Sequence, residues 1–358
     1  MKNSMKAVRI FEYGSPEVLR YGDYEQPSVG PHDVKVKVLA TTISRFDIKY
    51  RLGLLSSVAL PGRKGFPMPM QLGRDAAGIV EAIGSDVTAF RVGDRVVGLT
   101  SPANPMSAMS MMGLGNLSTD IDLPGHTMYG SNAQFVARPE SYWLPLGDDV
   151  SMVDAAAAMW AYATAHRALI NRLNAQIGDT LLIIGASGGM GSATLDLANK
   201  MGIRTIVTTR SPNSVSYLNE CGASDVIVIG PKTNLAEKIG VLVGKLGLDA
   251  AIDYSGDAAM LRLCVDVLRP GGRLAVIAGE QNRDPMPINV EDCIRLELNI
   301  YGCRGSNISD QQAVVKLLGE KKIKPAVAAV MKLSEISIAH EMLENGNVNG
   351  RIVLEPWA

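Results

Sequence analysis

An apolar run, Leu181-Leu182-Ile183-Ile184, leads directly into Gly185-Ala186-Ser187-Gly188-Gly189-Met190-Gly191. Small residues at that density let a main chain approach a phosphate. A helix starting there adds unpaired N–H groups and the positive end of its dipole. Ser187, Gly188, Gly189 and Met190 are therefore expected to cradle a pyrophosphate. The next strand-like run ends in Thr208-Thr209-Arg210-Ser211, with no carboxylate. An NAD site usually places an acid at that point for the ribose hydroxyls. A 2′-phosphate is repelled by an acid and bound by Arg through charge-assisted hydrogen bonds. Thr209, Arg210 and Ser211 thus point to NADP(H), against the plainer reading of Arg210 as a solvated side chain. Gly256, Ala278 and Gly279 each follow a strand-like run. They are expected to line the nicotinamide crevice outside the carboxyl ends of the strands.

These motifs require a particular scaffold. Strand-like runs at 180–184, 204–209, 225–229, 250–254, 273–278 and 298–301 alternate with helical ones at 193–201, 214–221, 235–243 and 258–268. Such alternation predicts a doubly wound, six-stranded parallel sheet of the Rossmann type. The first ~150 residues read differently, as short β-runs at 5–11, 34–40, 78–83, 95–99 and 133–137. Gly73, Gly78, Gly84, Gly93 and Gly98 punctuate them, as a small curved barrel requires. An alanine-rich helix is expected at 153–170. The tail, 311–357, reads helix, strand, helix, strand and is expected to return to the first domain, since six strands already complete the sheet. The domains are accordingly placed at 1–150 with 307–358, and at 151–306. Within 100–129, Met106, Met109, Met111, Met112 and Met128 sit among Pro, Ser, Gly and Asn. They read as irregular packing, or as a flap over an apolar pocket or a subunit contact.

Composition narrows the function classes. The chain has 358 residues, 47% hydrophobic and 20% charged, with a formal charge of -1. That balance supports a large core and gives no basic excess for nucleic acid. Four widely spaced cysteines form no metal or disulfide framework. The longest apolar stretch, near 155–165, falls short of the ~20 residues of a membrane span. Residues 1–6 lead into a strand-like run without a signal-peptide core, so a cytoplasmic protein is expected.

Taken with Gly73-Arg74-Asp75-Ala76-Ala77-Gly78, Val92-Gly93-Asp94-Arg95-Val96 and Gly350-Arg351-Ile352-Val353-Leu354, the glycine turn resembles the medium-chain dehydrogenase/reductase superfamily along essentially the whole chain. The resemblance implies a GroES-like catalytic domain built from both chain ends, a central Rossmann domain and a cleft between them. Zinc-containing members place cysteine where Ser44 stands, a His-Glu pair where Arg74-Asp75 stand and a third ligand near Trp160. Catalytic zinc needs three His, Cys or carboxylate ligands, which this set does not provide. The four-cysteine lobe of those enzymes is also missing, its place taken by the Met-rich excursion. What remains is similar to the zinc-free quinone oxidoreductase and enone reductase branches. Two departures stand out: the asparagine often found at the position of Ser44 is absent, and the tail with Lys322-Ile323-Lys324-Pro325 looks closer to zinc-type relatives.

Without a metal to polarise a carbonyl, the fitting acceptor is already activated, a quinone or an α,β-unsaturated carbonyl. Ser44 and Arg74 are the expected hydrogen-bond donors or positioning groups, and Tyr50 a proton donor. The structural alternative for Arg74 is an ion pair with Asp47 or Asp75. Arg351 is expected to reach the cofactor, as the matching basic residue of the family sometimes does. His126 reads as a surface group and His166 as packing, while Trp160 and Tyr162 shape the cleft or fill the core. The expected activity is NADPH-dependent reduction of a small-molecule electron acceptor. The alternatives are alcohol or carbonyl chemistry by a zinc-type descendant that lost its metal, and non-catalytic NADPH binding. The run at 298–301 is expected at the edge of its sheet, implying a homodimer or homotetramer.

Overall fold

The strand Asp33–Ile43 alternates inward and outward side chains along most of its length, and it organises the first half of the molecule. The computed structural model describes residues 3–55, 68–279, 286, 288–346 and 348–358. In chain order, β1 (Ser4–Arg9) and β2 (Arg20–Glu25) form an antiparallel pair. Then come β3 (Asp33–Ile43), α1 (Arg45–Arg51), β4 (Ala76–Ile83), β5 (Arg95–Gly98), the short α2 (Ala108–Met111), β6 (Phe135–Pro139) and β7 (Trp143–Pro145). Helix α3 (Met152–His166) runs on as a π-helical turn over Arg167–Arg172. Strand β2 escapes sequence reading because its residues are mostly exposed and carry no apolar alternation.

From there strand and helix alternate: β8 (Thr180–Ile184), α4 (Gly189–Lys200), β9 (Arg204–Thr209), α5 (Val215–Glu220), β10 (Asp225–Val228), α6 (Leu235–Val243), β11 (Leu248–Asp253), α7 (Ala258–Val267), β12 (Leu268–Val276), α8 (Val290–Arg295) and β13 (Asn299–Gly302). The chain closes with α9 (Ile308–Gly319), β14 (Val327–Lys332), α10 (Ile336–Glu344) and β15 (Arg351–Glu355).

Two sheets dominate. The six-stranded one has the order β10-β9-β8-β11-β12-β13, every neighbour parallel. This is the doubly wound arrangement, in which strand order reverses between β8 and β11. The other runs β14-β15-β3-β4-β5-β7, with β6 added on β3. Here β15 pairs antiparallel with β3, so the C-terminal strand completes the sheet begun near the N-terminus. Contacts divide the chain into one unit of Met1–Ala163 with Ser306–Ala358 and another of Thr164–Gly305. The division falls inside α3.

Each unit has its own apolar core. Leu182, Ile206, Ile239, Leu248, Ala251 and Leu274 anchor the parallel-sheet unit. In the other unit, Val34, Val36, Val38, Val80 and Val96 fill one cluster. Ile10, Ile43, Met70, Ile336 and Ile352 fill another, joining both chain ends. Two boundaries differ from expectation for local reasons. Helix α4 starts at Gly189 rather than 193, because the glycine turn itself supplies its first turn. Strand β12 begins at Leu268 rather than 273, since Leu268 pairs with Leu248 and a register irregularity absorbs the Pro270-Gly271-Gly272 stretch. The excursion 100–129 also departs from close packing, as Met106, Met111 and Met112 are all more than 65% exposed.

Candidate functional site

In the parallel-sheet unit, β8 ends at Ile184 and α4 begins five residues later. Gly188 is the N-cap and provides no side-chain cap, so the first-turn N–H groups of α4 keep their capacity to bind an anion. Gly191 explains how the turn lies so close to its helix. A Cβ there would stand 2.2 Å from the Gly185 carbonyl oxygen and 2.6 Å from the Ala186 Cα, so only glycine fits without backbone movement. Ser187, Gly188, Gly189 and Met190 are all half-buried along this edge.

At the end of β9, Thr209 Oγ1 accepts from the Ser211 N–H at 3.1 Å and faces its carbonyl at 3.3 Å. That small turn leaves Arg210 exposed, with no ion pair among the described residues. A guanidinium in this state can receive a phosphate without first giving up a protein partner. Beyond β11, the buried Asp253 holds the next loop: Oδ1 accepts from the Ser255 N–H (3.0 Å) and hydroxyl (2.6 Å), and Oδ2 from the Gly256 N–H (2.8 Å). Gly256 adopts φ +66, and a Cβ on it would fall 2.5 Å from the Gly279 Cα. Ala278 and Gly279, after β12, therefore meet the Gly256 loop backbone to backbone. Asp253 was missed in the sequence, although Asp-Tyr-Ser-Gly after a buried strand is a recognisable Asx-turn pattern. Taken together, these residues fit a dinucleotide: small loops, an open helix N-terminus and a spare cation.

The other unit gathers a buried polar cluster around α1. Ser44 is its N-cap, with Oγ accepting from the Phe46 N–H (3.2 Å) and donating to Asp47 Oδ2 (2.7 Å). Asp47 returns the bond by accepting from the Ser44 N–H at 2.8 Å, and its other oxygen accepts from the Gly73 N–H at 3.1 Å. Burial pushes the Asp47 carboxyl above its usual range, against the pull of those hydrogen bonds and of Arg74. The hydroxyl proton of Ser44 is committed to Asp47, an arrangement that suits the positioning role expected of it as one of two alternatives.

Tyr50, on α1, meets Arg74 directly. Arg74 Nη2 donates to Tyr50 Oη at 3.2 Å and Nη1 to the Thr100 carbonyl at 3.4 Å, while the guanidinium lies 4.5 Å from the Trp160 ring centroid. The expected ion pair of Arg74 with Asp47 or Asp75 is not formed. Asp75 belongs to Arg351 instead: Arg351 Nη2 donates to Asp75 Oδ2 at 2.5 Å and to Thr42 Oγ1, and the Trp160 N–H donates to Asp75 Oδ1 at 3.0 Å. Arg351 thus forms a buried ion pair within the first unit. His126 is corrected too. It is buried, not a surface group, and its ring lies 4.6 Å from that of Tyr50.

A second arginine comes with this cluster. Arg138, on β6, is 1% exposed, and its guanidinium lies 5.4 Å from the Trp143 ring centroid. Its Nη1 is 3.1 Å from the place a Cβ on Gly98 would occupy. Burial and the neighbouring charge of Arg74 bring its pKa down to about 10, while Asp122 and Tyr142 oppose the shift.

As a metal site the cluster does not fit. Ser, Arg and Trp at positions 44, 74 and 160 are not zinc donors, and Asp75 is already engaged. Among the described residues no three His, Cys, Asp or Glu side chains gather to hold an ion.

Comparison with known proteins finds two family models along the chain. Residues 30–148 match the family model described as alcohol dehydrogenase GroES-like domain, and residues 189–320 the one described as zinc-binding dehydrogenase. The chain is 29% identical to the quinone oxidoreductase of Mus musculus, covering 98% of this chain and 97% of that one. It is 27% identical to an NAD-dependent alcohol dehydrogenase of Saccharolobus solfataricus, over 98% and 100%. A crystal structure of an NAD-dependent alcohol dehydrogenase superposes with a TM-score of 0.88 at 28% identity, covering 98% of this chain and 99% of the other.

Proposed function

We propose that this chain, which belongs to the medium-chain dehydrogenase/reductase superfamily of oxidoreductases, uses NADPH to reduce a quinone or an α,β-unsaturated carbonyl compound without a metal. One observation carries the reading: the place that a zinc-ligand set would need holds a buried Arg74 bonded to Tyr50 and stacked on Trp160. A guanidinium there repels a cation and stabilises developing negative charge on an acceptor oxygen.

When bound, NADPH supplies hydride. The chain's own residues do the rest. The open N-terminus of α4 and the Ser187–Met190 turn bind the pyrophosphate, and Arg210 with Ser211 binds the 2′-phosphate. Gly256, Ala278 and Gly279 leave room for the nicotinamide. Arg74 donates hydrogen bonds to the acceptor oxygen, where charge grows as hydride arrives at the far end of the conjugated system. Tyr50, already in contact with Arg74, holds the proton that this oxygen or the adjacent carbon takes up. Ser44 and Asp47 fix α1 and, through it, Tyr50. An already conjugated acceptor needs only such donors, whereas an isolated aldehyde or ketone depends far more on a Lewis acid.

The test is NADPH oxidation by protein dialysed against chelator, with a quinone, an enone and an aldehyde as acceptors. Turnover of the quinone or enone, unchanged by added zinc, is the expected result. Turnover of the aldehyde alone, appearing only with zinc, would overturn the reading and favour alcohol-dehydrogenase chemistry. NADPH binding with no turnover of any acceptor would leave a non-catalytic binding protein. Self-association of the chain as a homodimer or homotetramer goes with this proposal, since β13 ends the parallel sheet.

A further inference from the structure

We infer that Arg74 and Arg138 form a subsite for a carboxylate, so that the preferred acceptor carries an acid group beside its conjugated carbonyl. Among the described residues, Nε, Nη1 and Nη2 of Arg138, Nε of Arg74 and Nε1 of Trp143 are buried without a hydrogen-bond partner. Buried guanidinium nitrogens are normally satisfied, and an unpaired buried charge is among the costliest features a fold can carry. Here three orphaned nitrogens belong to one side chain.

Among the described residues no hydrogen-bond partner compensates them. Among the described residues Asp122 is the carboxylate whose field favours the charge on Arg138, and its oxygens already accept from Tyr142 (2.7 Å) and Thr127 (3.1 Å). The charge of Arg74 opposes that of Arg138, whose pKa of about 10 still lies well above neutrality. An anion resolves the arrangement. The planar fork of a guanidinium matches the two oxygens of a carboxylate.

Placing that carboxylate on the acceptor rests on the proposed function, because Arg74 serves both. The subsite itself is testable without turnover. Thermal melting in buffer free of chloride, phosphate and carboxylates would be followed with 4-oxopentanoate, and with pentan-2-one as its neutral counterpart. The expected result is a saturable rise in melting temperature with the acid alone, weakened at least tenfold in Arg138→Met and partly retained in Arg138→Lys. Arg138→Met is also expected to melt no lower than the parent without ligand, since it removes an uncompensated charge. No saturable rise with the acid, or an equal rise in Arg138→Met, would overturn the inference. Chloride or phosphate producing the same rise at lower concentration would overturn the carboxylate assignment in favour of a free inorganic ion.

With NADPH, 4-oxopent-2-enoate is expected to be reduced with kcat/KM at least tenfold above that for pent-3-en-2-one, and Arg138→Met to erase the difference. Reduction of the neutral ketone with no binding of the acid removes the subsite and leaves the reductase reading intact. Binding of the acid that is lost in Arg138→Met, with neither enone reduced, supports the subsite and removes the reductase reading.

Discussion

Arg74 is the residue on which the proposed chemistry turns, and its surroundings explain why. It bonds Tyr50, stacks on Trp160 and carries a buried nitrogen without a partner among the described residues. Arg74→Met keeps much of the volume and removes the donors, so kcat/KM for an enone should fall about 10²–10³-fold, the scale of losing an oxyanion donor. Binding of NADPH, measured by fluorescence, should stay within a factor of about two. Equal losses in both would mean that Arg74 holds the fold rather than the acceptor. Some of this was legible in the residues: Arg74, in a glycine-rich motif, and Tyr50 were each singled out as candidates, but their direct contact was not. Arg138 was not noticed, although strand parity offered a clue, because Val136 and Arg138 are two apart and face inward together. The burial of His126 left no local trace. It depends on the excursion returning against Tyr50, which no pattern around Pro124-Gly125 encodes.

At the level of elements, turns and caps set the geometry. Gly191→Ala forces a Cβ into the Gly185 carbonyl, an overpacking expected to cost about 1–3 kcal/mol in urea unfolding and to weaken NADPH binding as the turn shifts. Unchanged stability and affinity would show that the turn has more slack than its geometry suggests. Helix α1 offers a cleaner separation of roles. Ser44→Ala removes an N-cap, with an expected cost of about 1 kcal/mol and only a severalfold drop in kcat/KM. A drop of about a hundredfold at similar stability would identify Ser44 as a donor to the acceptor. The six parallel strands were readable because apolar runs between helical stretches leave few alternatives. The start of α4 was not, since glycines look like loop until a helix is built on them.

Over the whole molecule, two features govern response to conditions. His340, on α10, is fully buried with neither ring nitrogen hydrogen-bonded among the described residues, and burial with the charge of Arg51 brings its pKa down to about 3. Arg51 is in turn ion-paired with Glu344 on the same helix as His340. The folded pKa lies below the unfolded one, so the neutral ring stabilises the fold fully above about pH 6.5, and the contribution is lost as pH falls towards 3. Between pH 7 and 5 this amounts to about 2 kcal/mol, which urea titrations of the parent should show and His340→Leu should lack. The same slope in both proteins would assign the acid sensitivity elsewhere. The second feature is the cofactor, whose binding free energy adds to the stability of the folded chain.

The central claim, that the parallel-sheet unit is built for NADPH, is tested most directly by titrating chelator-dialysed protein with NADPH and with NADH, following nicotinamide fluorescence, alongside Arg210→Ala. One charge-assisted contact is worth roughly 1.5–3 kcal/mol, or about ten- to a hundredfold in affinity. The account predicts NADPH binding tighter than NADH by at least that lower factor, with the difference abolished in Arg210→Ala and NADH binding unchanged. Equal affinity for the two cofactors, or an equal loss of both in the variant, would contradict it.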